Sequence, residues 1–445
     1  MDSRAKHMLE STTEQTMTPE TAMEAGTKFG QHYKSVVVFR DADPSSEMIM
    51  KSLVSGLLSV GAKVTDAGMI PVPVAHTAFS SGYDCLLSVG NPDGDGEICG
   101  IKAYFPDGTP FDSDQIYDIM KKTDVVLPSY HEVETVSKNT EACEKYIERI
   151  KNTGLKSTGF IVVDCNCEST SECAPQLLNA IGAEVIAFNT HKHSGQLPRS
   201  PGLNKTDLMG ISNIVNASIG SVGVAFNGDG TRLALMDESG KYVPGDRLLA
   251  IMLMFLEPTT AVIPFDSPCV VEDAFKHPLG LKKNVDRTEE RRLIRCKNNL
   301  DDVIQTMKES GADFGALNDG TFIFSSMGYC PDALYASVII SELAGMRSLR
   351  NVLEEIPIYS NRTLRIDFDG NMTHFSNKLK EKIKEYEIDV QSSGNAWKMI
   401  LKQGTYTIKQ NELNPKKLVI FAESSDLVYL ITMLEQARDI VNYCV

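Results

Sequence analysis

The sequence predicts an α/β protein: three related α/β domains with mixed sheets plus a C-terminal α+β domain, arranged around a central cleft. Three observations lead there. Short apolar runs such as Val36–Phe39 have the length of buried strands and give way to helical three-to-four periodicity. The order strand–helix–strand then occurs three times, which favours parallel or mixed sheets covered by helices. Residues 361–445 instead alternate apolar and polar positions, as half-buried antiparallel strands do.

Taken in order, "SVVVFRD" (35–41) reads as a strand, "EMIMKSLVSGLLSV" (47–60) as a helix and "GAKVTDAG" (61–68) as a second strand. "GFIVVDC", "ECAPQLLNAI" and "GAEVIAFN" (159–189) repeat that layout, with Gly-Ala again at the entry to the second strand. A third copy starts at "AVIPFD" (261–266) and runs through the amphipathic stretch Leu300–Ser310 into Gly311 and another strand. In the last part, "RTLRIDFDG", "SGNAWKMILKQGTYTIKQ" and "KKLVIFAES" are the strands, and "THFSNKLKEKIKEY" and "DLVYLITMLEQARDIVNYC" the helices. The expected domains are 1–153, 154–257, 258–360 and 361–445, joined by short linkers.

Composition narrows the function classes. A net charge of −15 over 445 residues argues against nucleic-acid binding, which needs a basic surface. No apolar run approaches the ~18 residues of a membrane span, and the first twenty residues lack the apolar core of a secretory signal. The protein therefore reads as cytoplasmic. Ten cysteines spread over a long chain fit reduced thiols better than a disulfide framework. Cys165, Cys167 and Cys173 cluster, but no fourth Cys or His lies nearby in sequence to complete a metal set.

One stretch raises a chemical question. "AFNGDGTRLALMDESG" (225–240) has the glycine-rich form of a loop that holds a divalent cation, yet it carries one carboxylate, Asp229, between Gly228 and Gly230. Mg²⁺ takes hard oxygen ligands in an octahedral array. Asn227, Asp229 and Thr231 are the positions left to supply them.

This loop opens "RLALMDESGKYVPGDRLL" within three α/β domains and an α+β domain, and in that setting the chain resembles the α-D-phosphohexomutase family of phosphoglucomutases and phosphomannomutases. "MTPETAMEAGTKFG" and "VVVFRDADPSSEMIMKSLVSGLLSVGAKVTDAGMIPVPV" resemble the family's first domain, and "NPDGDGEICGIKAYFPDG" its catalytic loop region. The resemblance covers about Met17 to Val445. It implies hexose-phosphate 1,6-phosphoryl transfer by a phosphoserine, with Mg²⁺ held by three aspartates, a sugar-binding loop and a phosphate-binding loop. A serine hydroxyl can be phosphorylated and returned. Cationic groups neutralise the oxygens of the phosphoryl in transit.

Each loop departs from the family pattern. In place of Thr-Ala-Ser-His-Asn-Pro, anchoring on Asn91-Pro92 puts Val89 at the nucleophile and Gly90 at the histidine. Ser88 is one residue upstream, and a slip of one residue turns a strand side chain to the other face. Lys102 keeps the family's Gly-x-Lys and is the candidate acid/base or phosphate partner. In place of Asp-Gly-Asp-x-Asp-Arg stands Asn227-Gly228-Asp229-Gly230-Thr231-Arg232. Exchanging anions for neutral oxygens removes most of the attraction that offsets dehydration of Mg²⁺, so tight binding is not expected. Asp93, Asp95 and Glu97 of the longer catalytic loop are candidates to lend carboxylates. The sugar loop reads Leu317, Asp319, Gly320, Thr321, with leucine where the family has glutamate. The phosphate loop reads Lys409, Asn411, Glu412, without the serine, glycine and threonine that cradle a phosphate. In the first domain Arg40 and Asp41 remain, and Asp43 replaces an arginine.

Ser88 and Lys102 are thus the candidate catalytic residues. Arg40, Arg232, Asp319, Thr321, Lys409 and Asn411 are the candidate ligand-binding residues, for a sugar phosphate or another anionic small molecule. Three readings stay open. The first is a phosphohexomutase-like protein whose mutase chemistry is lost or weak, retaining anionic-ligand binding. The second is a divergent active phosphomutase using Ser88, and the third a non-enzymatic scaffold or regulatory partner of another protein.

Overall fold

The computed structural model describes residues 17–90, 99–121, 126–191, 197–281, 290–368, 371–385, 389–411 and 414–445. Their contacts divide the chain into two compact units. One holds Asp2–Leu248 with Asp313–Val352, the other Leu249–Ala312 with Leu353–Val445. The expected domain 258–360 therefore contributes to both.

In the first unit, the strand Ser35–Arg40 lies between Lys63–Met69 and Cys85–Gly90, parallel to both. Gly100–Tyr104 closes one edge in antiparallel sense and Ser137–Lys138 the other in parallel sense. The middle strand is buried along Val36–Phe39, as expected of a parallel strand covered on both faces. Helix Pro19–His32 starts on a capping box at Thr18, and helix Pro44–Ser59 on the Asp43 side chain, so both first turns have their donors satisfied. Phe29, Leu53 and Leu57 from these helices join Val36, Val38, Leu87, Val89 and Ile101 in one core.

The second sheet of this unit repeats the plan. Phe160–Asp164 lies parallel to Glu184–Phe188 and to Val222–Phe226, and Leu233–Met236 pairs antiparallel with Val222–Phe226. Numbering strands within each repeat, both sheets have the order four-three-one-two. Residues 313–352 are tied to this unit by buried polar contacts. Tyr146 Oη donates to both carboxylate oxygens of Asp332 at 2.8 Å. Ser157 Oγ donates to Ser341 O at 2.7 Å, and Glu238 accepts from the backbone amides of Leu349 and Arg350 at 2.7 and 3.0 Å.

The second unit combines the parallel pair Thr260–Pro264 and Arg292–Cys296 with a five-stranded antiparallel sheet. The order of that sheet is Ser360–Asp367, Lys417–Ser424, Gly404–Gln410, Ala396–Leu401, Asp389–Ser393. Helices Met372–Glu385 and Leu427–Cys444 supply Phe375, Leu379, Leu430, Met433 and Ile440 to a core with Trp397, Tyr406, Ile408 and Ile420. The antiparallel sheet also holds the parallel pair through buried charged side chains. Glu423 Oε1 accepts from the Cys269 amide at 2.7 Å and from Thr405 Oγ1 at 3.1 Å, and Lys398 Nζ donates to Ser267 O at 2.8 Å. Burial, with Arg295 nearby, lowers the Lys398 pKa from its ordinary value.

All ten cysteines are free thiols, and burial pushes the Cys165 thiol up to about 12. No helix among the described residues is long and apolar enough to cross a membrane.

Because Glu423 accepts from the Cys269 amide and from the buried Thr405 hydroxyl, Glu423→Ala removes an acceptor from both. The expected result is a loss of about 1–3 kcal/mol of stability, read as a lower urea midpoint. An unchanged midpoint would show that this contact does not hold the second unit together.

Candidate functional site

Arg40 and the Asn227–Thr231 loop lie at the carboxyl ends of their strands, where parallel-sheet proteins place ligands, while Ser88 and Lys102 lie within strands Cys85–Gly90 and Gly100–Tyr104. Arg40 ends its strand opposite Val89. Ser88 pairs with Lys102 across the antiparallel ladder. Side chains alternate along a strand, so Val89 points the other way, fully buried in the core with Val36, Val38 and Ile101. Ser88, Lys102, Arg40, Asp41, Ser169 and Asp229 enclose a space of about 10 Å³. That is at the lower limit for a single water.

The loop Asn227–Arg232 is closed by its own hydrogen bonds. Asp229 Oδ1 accepts from Asn227 Nδ2 at 2.9 Å, from the Thr231 amide at 3.1 Å and from Thr231 Oγ1 at 2.5 Å. Asn227 Oδ1 accepts from the amides of Thr231 and Arg232 at 3.0 and 2.9 Å. Thus the Asn227 oxygen serves the backbone, and its amide nitrogen faces the loop's one carboxylate. The other Asp229 oxygen, Oδ2, lies 3.9 Å from Lys102 Nζ. Gly230, at φ +71°, makes the turn possible: a Cβ there would stand 2.7 Å from Pro71 Cβ, and left-handed backbone favours glycine. Ser169 Oγ donates to Gly228 O at 2.6 Å.

Part of this donor set is committed to the loop itself, while Asp229 Oδ2 accepts no hydrogen bond within the loop. An octahedral ion requires outward-facing oxygens with lone pairs to spare. Here Asp229 Oδ1 already holds three donors and Asn227 Oδ1 two. Among the described residues, no cluster of three or more His, Cys, Asp or Glu side chains is placed to hold a metal. Asp93, Asp95 and Glu97 lie outside the described residues, as does Glu412.

A second carboxylate packs into the neighbouring strand end. The Asp41 side chain lies against Gly90, where a Cβ would stand 2.2 Å from Asp41 Oδ2. Any side chain at position 90 would displace that carboxylate. Asp41 Oδ1 accepts from the Asp43 amide at 3.1 Å. Glu168 Oε2 accepts from the Ala42 amide at 3.2 Å. Burial, reinforced by the Asp41 carboxylate, raises the Glu168 pKa from 4.5 to about 8. Arg40 donates to Asp41 O at 2.8 Å and to Glu47 at 3.1 Å.

The loop carrying Asp319 and Thr321 joins the Asn227–Arg232 loop. Arg232 and Thr321 form an isolated antiparallel bridge, and Arg232 Nη1 lies 4.0 Å from Asp319 Oδ2. Leu317 is buried. Lys409 and Asn411 belong to the second unit. Lys409 Nζ lies 2.6 Å from Asp266 Oδ2, and both residues line a cavity of about 390 Å³.

Comparison with known proteins supports the resemblance. Residues 6–126 match the family model for phosphoglucomutase/phosphomannomutase, alpha/beta/alpha domain I. A protein of Methanosarcina acetivorans named "Probable phosphoglucosamine mutase" is 30% identical over 352 residues, 78% of each chain. The chain belongs to the α-D-phosphohexomutase family. Among solved structures, a phosphoglucomutase/phosphomannomutase family protein from Burkholderia thailandensis superposes with TM-score 0.78 at 20% identity, covering 100% of this chain and 98% of its own. The N-acetylphosphoglucosamine mutase of Aspergillus fumigatus, solved in complex with GlcNAc-6P and magnesium, superposes with TM-score 0.50 at 12% identity, covering 92% and 82%.

The sequence did not single out Glu168, Ser169 or the packing of Asp41 on Gly90. A signal was present. The polar run Glu168-Ser169-Thr170-Ser171 lies in the loop between strand Phe160–Asp164 and helix Cys173–Ala180, the position at which parallel sheets build sites. The approach of Asp41 to Gly90 links residues 49 apart in sequence and leaves no local pattern.

Glu168 imposes a pH dependence. Between pH 4.5 and about 8 the folded protein holds a proton that the unfolded chain has released, so stability falls as pH rises through that window. Glu168→Gln removes this slope. Urea midpoints across the window should fall more steeply for the wild type than for the variant. Parallel profiles would contradict the assignment.

Proposed function

We propose that this chain is a phosphohexomutase-family protein in which intramolecular phosphoryl transfer is lost and the retained activity is ligand binding. The observation that carries this reading is the closed network around Asp229. A loop that spends Asp229 Oδ1 and Asn227 Oδ1 on its own amides and hydroxyl, with Asp229 Oδ2 facing the Lys102 ammonium, has few oxygens to present to an ion. Three further features point the same way. Val89 has no hydroxyl and is part of the core. Gly90 is filled by Asp41, and the enclosed space is far too small for a phosphoryl group. The A. fumigatus relative was solved with GlcNAc-6P and magnesium. In this chain Lys102 Nζ, 3.9 Å from Asp229, is the cationic group beside the loop's carboxylate.

The second reading, an active phosphomutase using Ser88, has one observation in its favour: Ser88 and Lys102 are direct cross-strand partners. Loss of a nucleophile or of a transition-state stabiliser costs about 10²–10⁶ in kcat, so the two readings separate cleanly. The test is interconversion of glucosamine, glucose and mannose 1- and 6-phosphates with Mg²⁺ and a hexose bisphosphate. The expected result is no turnover above the protein-free rate, with Ser88→Ala indistinguishable from the wild type. Val89→Ser should restore nothing and should cost about 1–3 kcal/mol, since it buries a hydroxyl in the core. Turnover abolished by Ser88→Ala, with phosphate found on Ser88 by mass spectrometry, would establish the second reading.

A further inference from the structure

The first unit contains a facing pair of cysteines that the candidate site does not use. Eight of the ten thiols are buried, and Cys143 and Cys269 are partly exposed. Cys143 stands in the first turn of helix Ala142–Asn152, and Cys173 opens helix Cys173–Ala180. These two helices pack on one another. Cys143 and Tyr146, three residues apart, share one face of the longer helix, and Cys173 interacts with both. The Cys173 thiol hydrogen-bonds Cys143. Sequence proximity groups Cys173 with Cys165 and Cys167, but the fold separates them. Cys167 Sγ lies 3.6 Å from the His191 ring nitrogens, while the partner of Cys173 is on the neighbouring helix.

The two thiols differ in access. Cys143 borders a cavity of about 360 Å³, within the range of small-molecule pockets, about 300–1,000 Å³. Lys138 and Asn139 line it beside Cys143, with Asp66 and Glu172 across from the lysine in charge. A small peptide that carries both carboxylates and an ammonium group therefore meets both signs there. Cys173 is buried behind this wall. Burial, followed by the hydrogen bond to Cys143 and that neighbour's charge, pushes the Cys173 thiol well above its ordinary range. Because the thiolate is the attacking form, the thiol on the cavity wall meets a reagent first and the buried one acts second.

We propose that Cys143 and Cys173 form a reversible redox-modification site, in which Cys143 reacts with a small disulfide, oxidised glutathione, and Cys173 resolves the adduct. The Cys143 thiolate attacks one sulfur of the small disulfide. A mixed disulfide forms, and the expelled thiolate takes up the proton that Cys143 lost. The Cys173 thiolate then attacks the Cys143 sulfur, the Cys143–Cys173 bond forms, and the second glutathione leaves as a thiol. Two protein thiols are oxidised and one small disulfide is reduced to two thiols. Thiols already in hydrogen-bond contact reach bonding geometry by side-chain rotation and a small approach of the two helix starts. The cross-link anchors the loop that holds Ser169, whose Oγ donates to Gly228 O at 2.6 Å, so oxidation pins the support of the Asn227–Arg232 turn.

The test is incubation of the native full chain with oxidised glutathione at mildly alkaline pH, alkylation of the remaining thiols, and peptide mapping by mass spectrometry. The expected product is a pair of peptides joined through Cys143 and Cys173 and released by dithiothreitol. Cys173→Ala should stop the reaction at the glutathione adduct on Cys143, raising the yield of that adduct at least ~10-fold over the wild type. Cys143→Ser should leave Cys173 a thiol. Cys269 is the internal control. Its side chain lies 3.4 Å from Thr405 Oγ1, and burial, with Glu423 nearby, pushes its thiol up to about 12, so it should enter no intramolecular bond. A wild-type chain in which Cys143 stays a thiol, stops at the adduct as Cys173→Ala does, or pairs with another cysteine would overturn the proposal. Mapping of the wild type decides alone, so the proposal stays testable even where Cys173→Ala fails to fold. None of these outcomes depends on whether sugar phosphates are isomerised.

Discussion

The carboxylate of Asp229 holds three hydrogen bonds on one oxygen, and much of the candidate site is arranged around that fact. A metal-binding loop works by leaving carboxylate lone pairs unsatisfied until an ion takes them. This loop satisfies those of Oδ1 internally, through the Asn227 amide nitrogen and the Thr231 hydroxyl and amide, and leaves Oδ2 beside Lys102. A charge-assisted hydrogen bond is among the stronger neutral-pH contacts a loop can make. These bonds hold the glycine-shaped turn.

The neighbouring substitutions fit this arrangement. With glycine at position 90, the Asp41 carboxylate occupies space that a larger residue would claim. With Asp43 in place of an arginine, the first turn of helix Pro44–Ser59 gains a capping side chain. With valine at position 89, the strand end adds apolar volume to the core. Each of these residues makes a structural contact within the chain. Glu168 is the exception. It is a buried carboxyl beside another carboxylate, and it answers by holding its proton to about pH 8.

Local patterns carried most of the architecture. "SVVVFRD" and "GFIVVDC" announced strands, and the helices that follow them, with their Gly-Ala entries into the next strand, gave the repeat that both sheets of the first unit share. Gly311 marked the end of helix Leu300–Ser310. The antiparallel part was legible from its alternation. What could not be read were contacts between residues far apart in the chain. Lys398, in an apparently ordinary strand, reaches Ser267, and Glu423 caps the helix that starts at Cys269. Those contacts unite 249–312 with 353–445, whereas Tyr146 and Glu238 draw 313–352 to the other unit. At the site, the resemblance set Asn227 and Thr231 where the family has carboxylates. They did not show that the remaining oxygens face inward, because rotamer and turn geometry decide that.

The central claim concerns lone pairs, so an ion is its most direct probe. Calorimetric titration of the purified chain with MgCl₂ should give no saturable heat, and the melting temperature should stay constant to about 10 mM, because an ion that binds the folded state raises it by mass action. A single saturable site with a dissociation constant below about 1 mM, lost in Asp229→Asn, would show that the Asp229 oxygens are available to an ion, and would contradict the account.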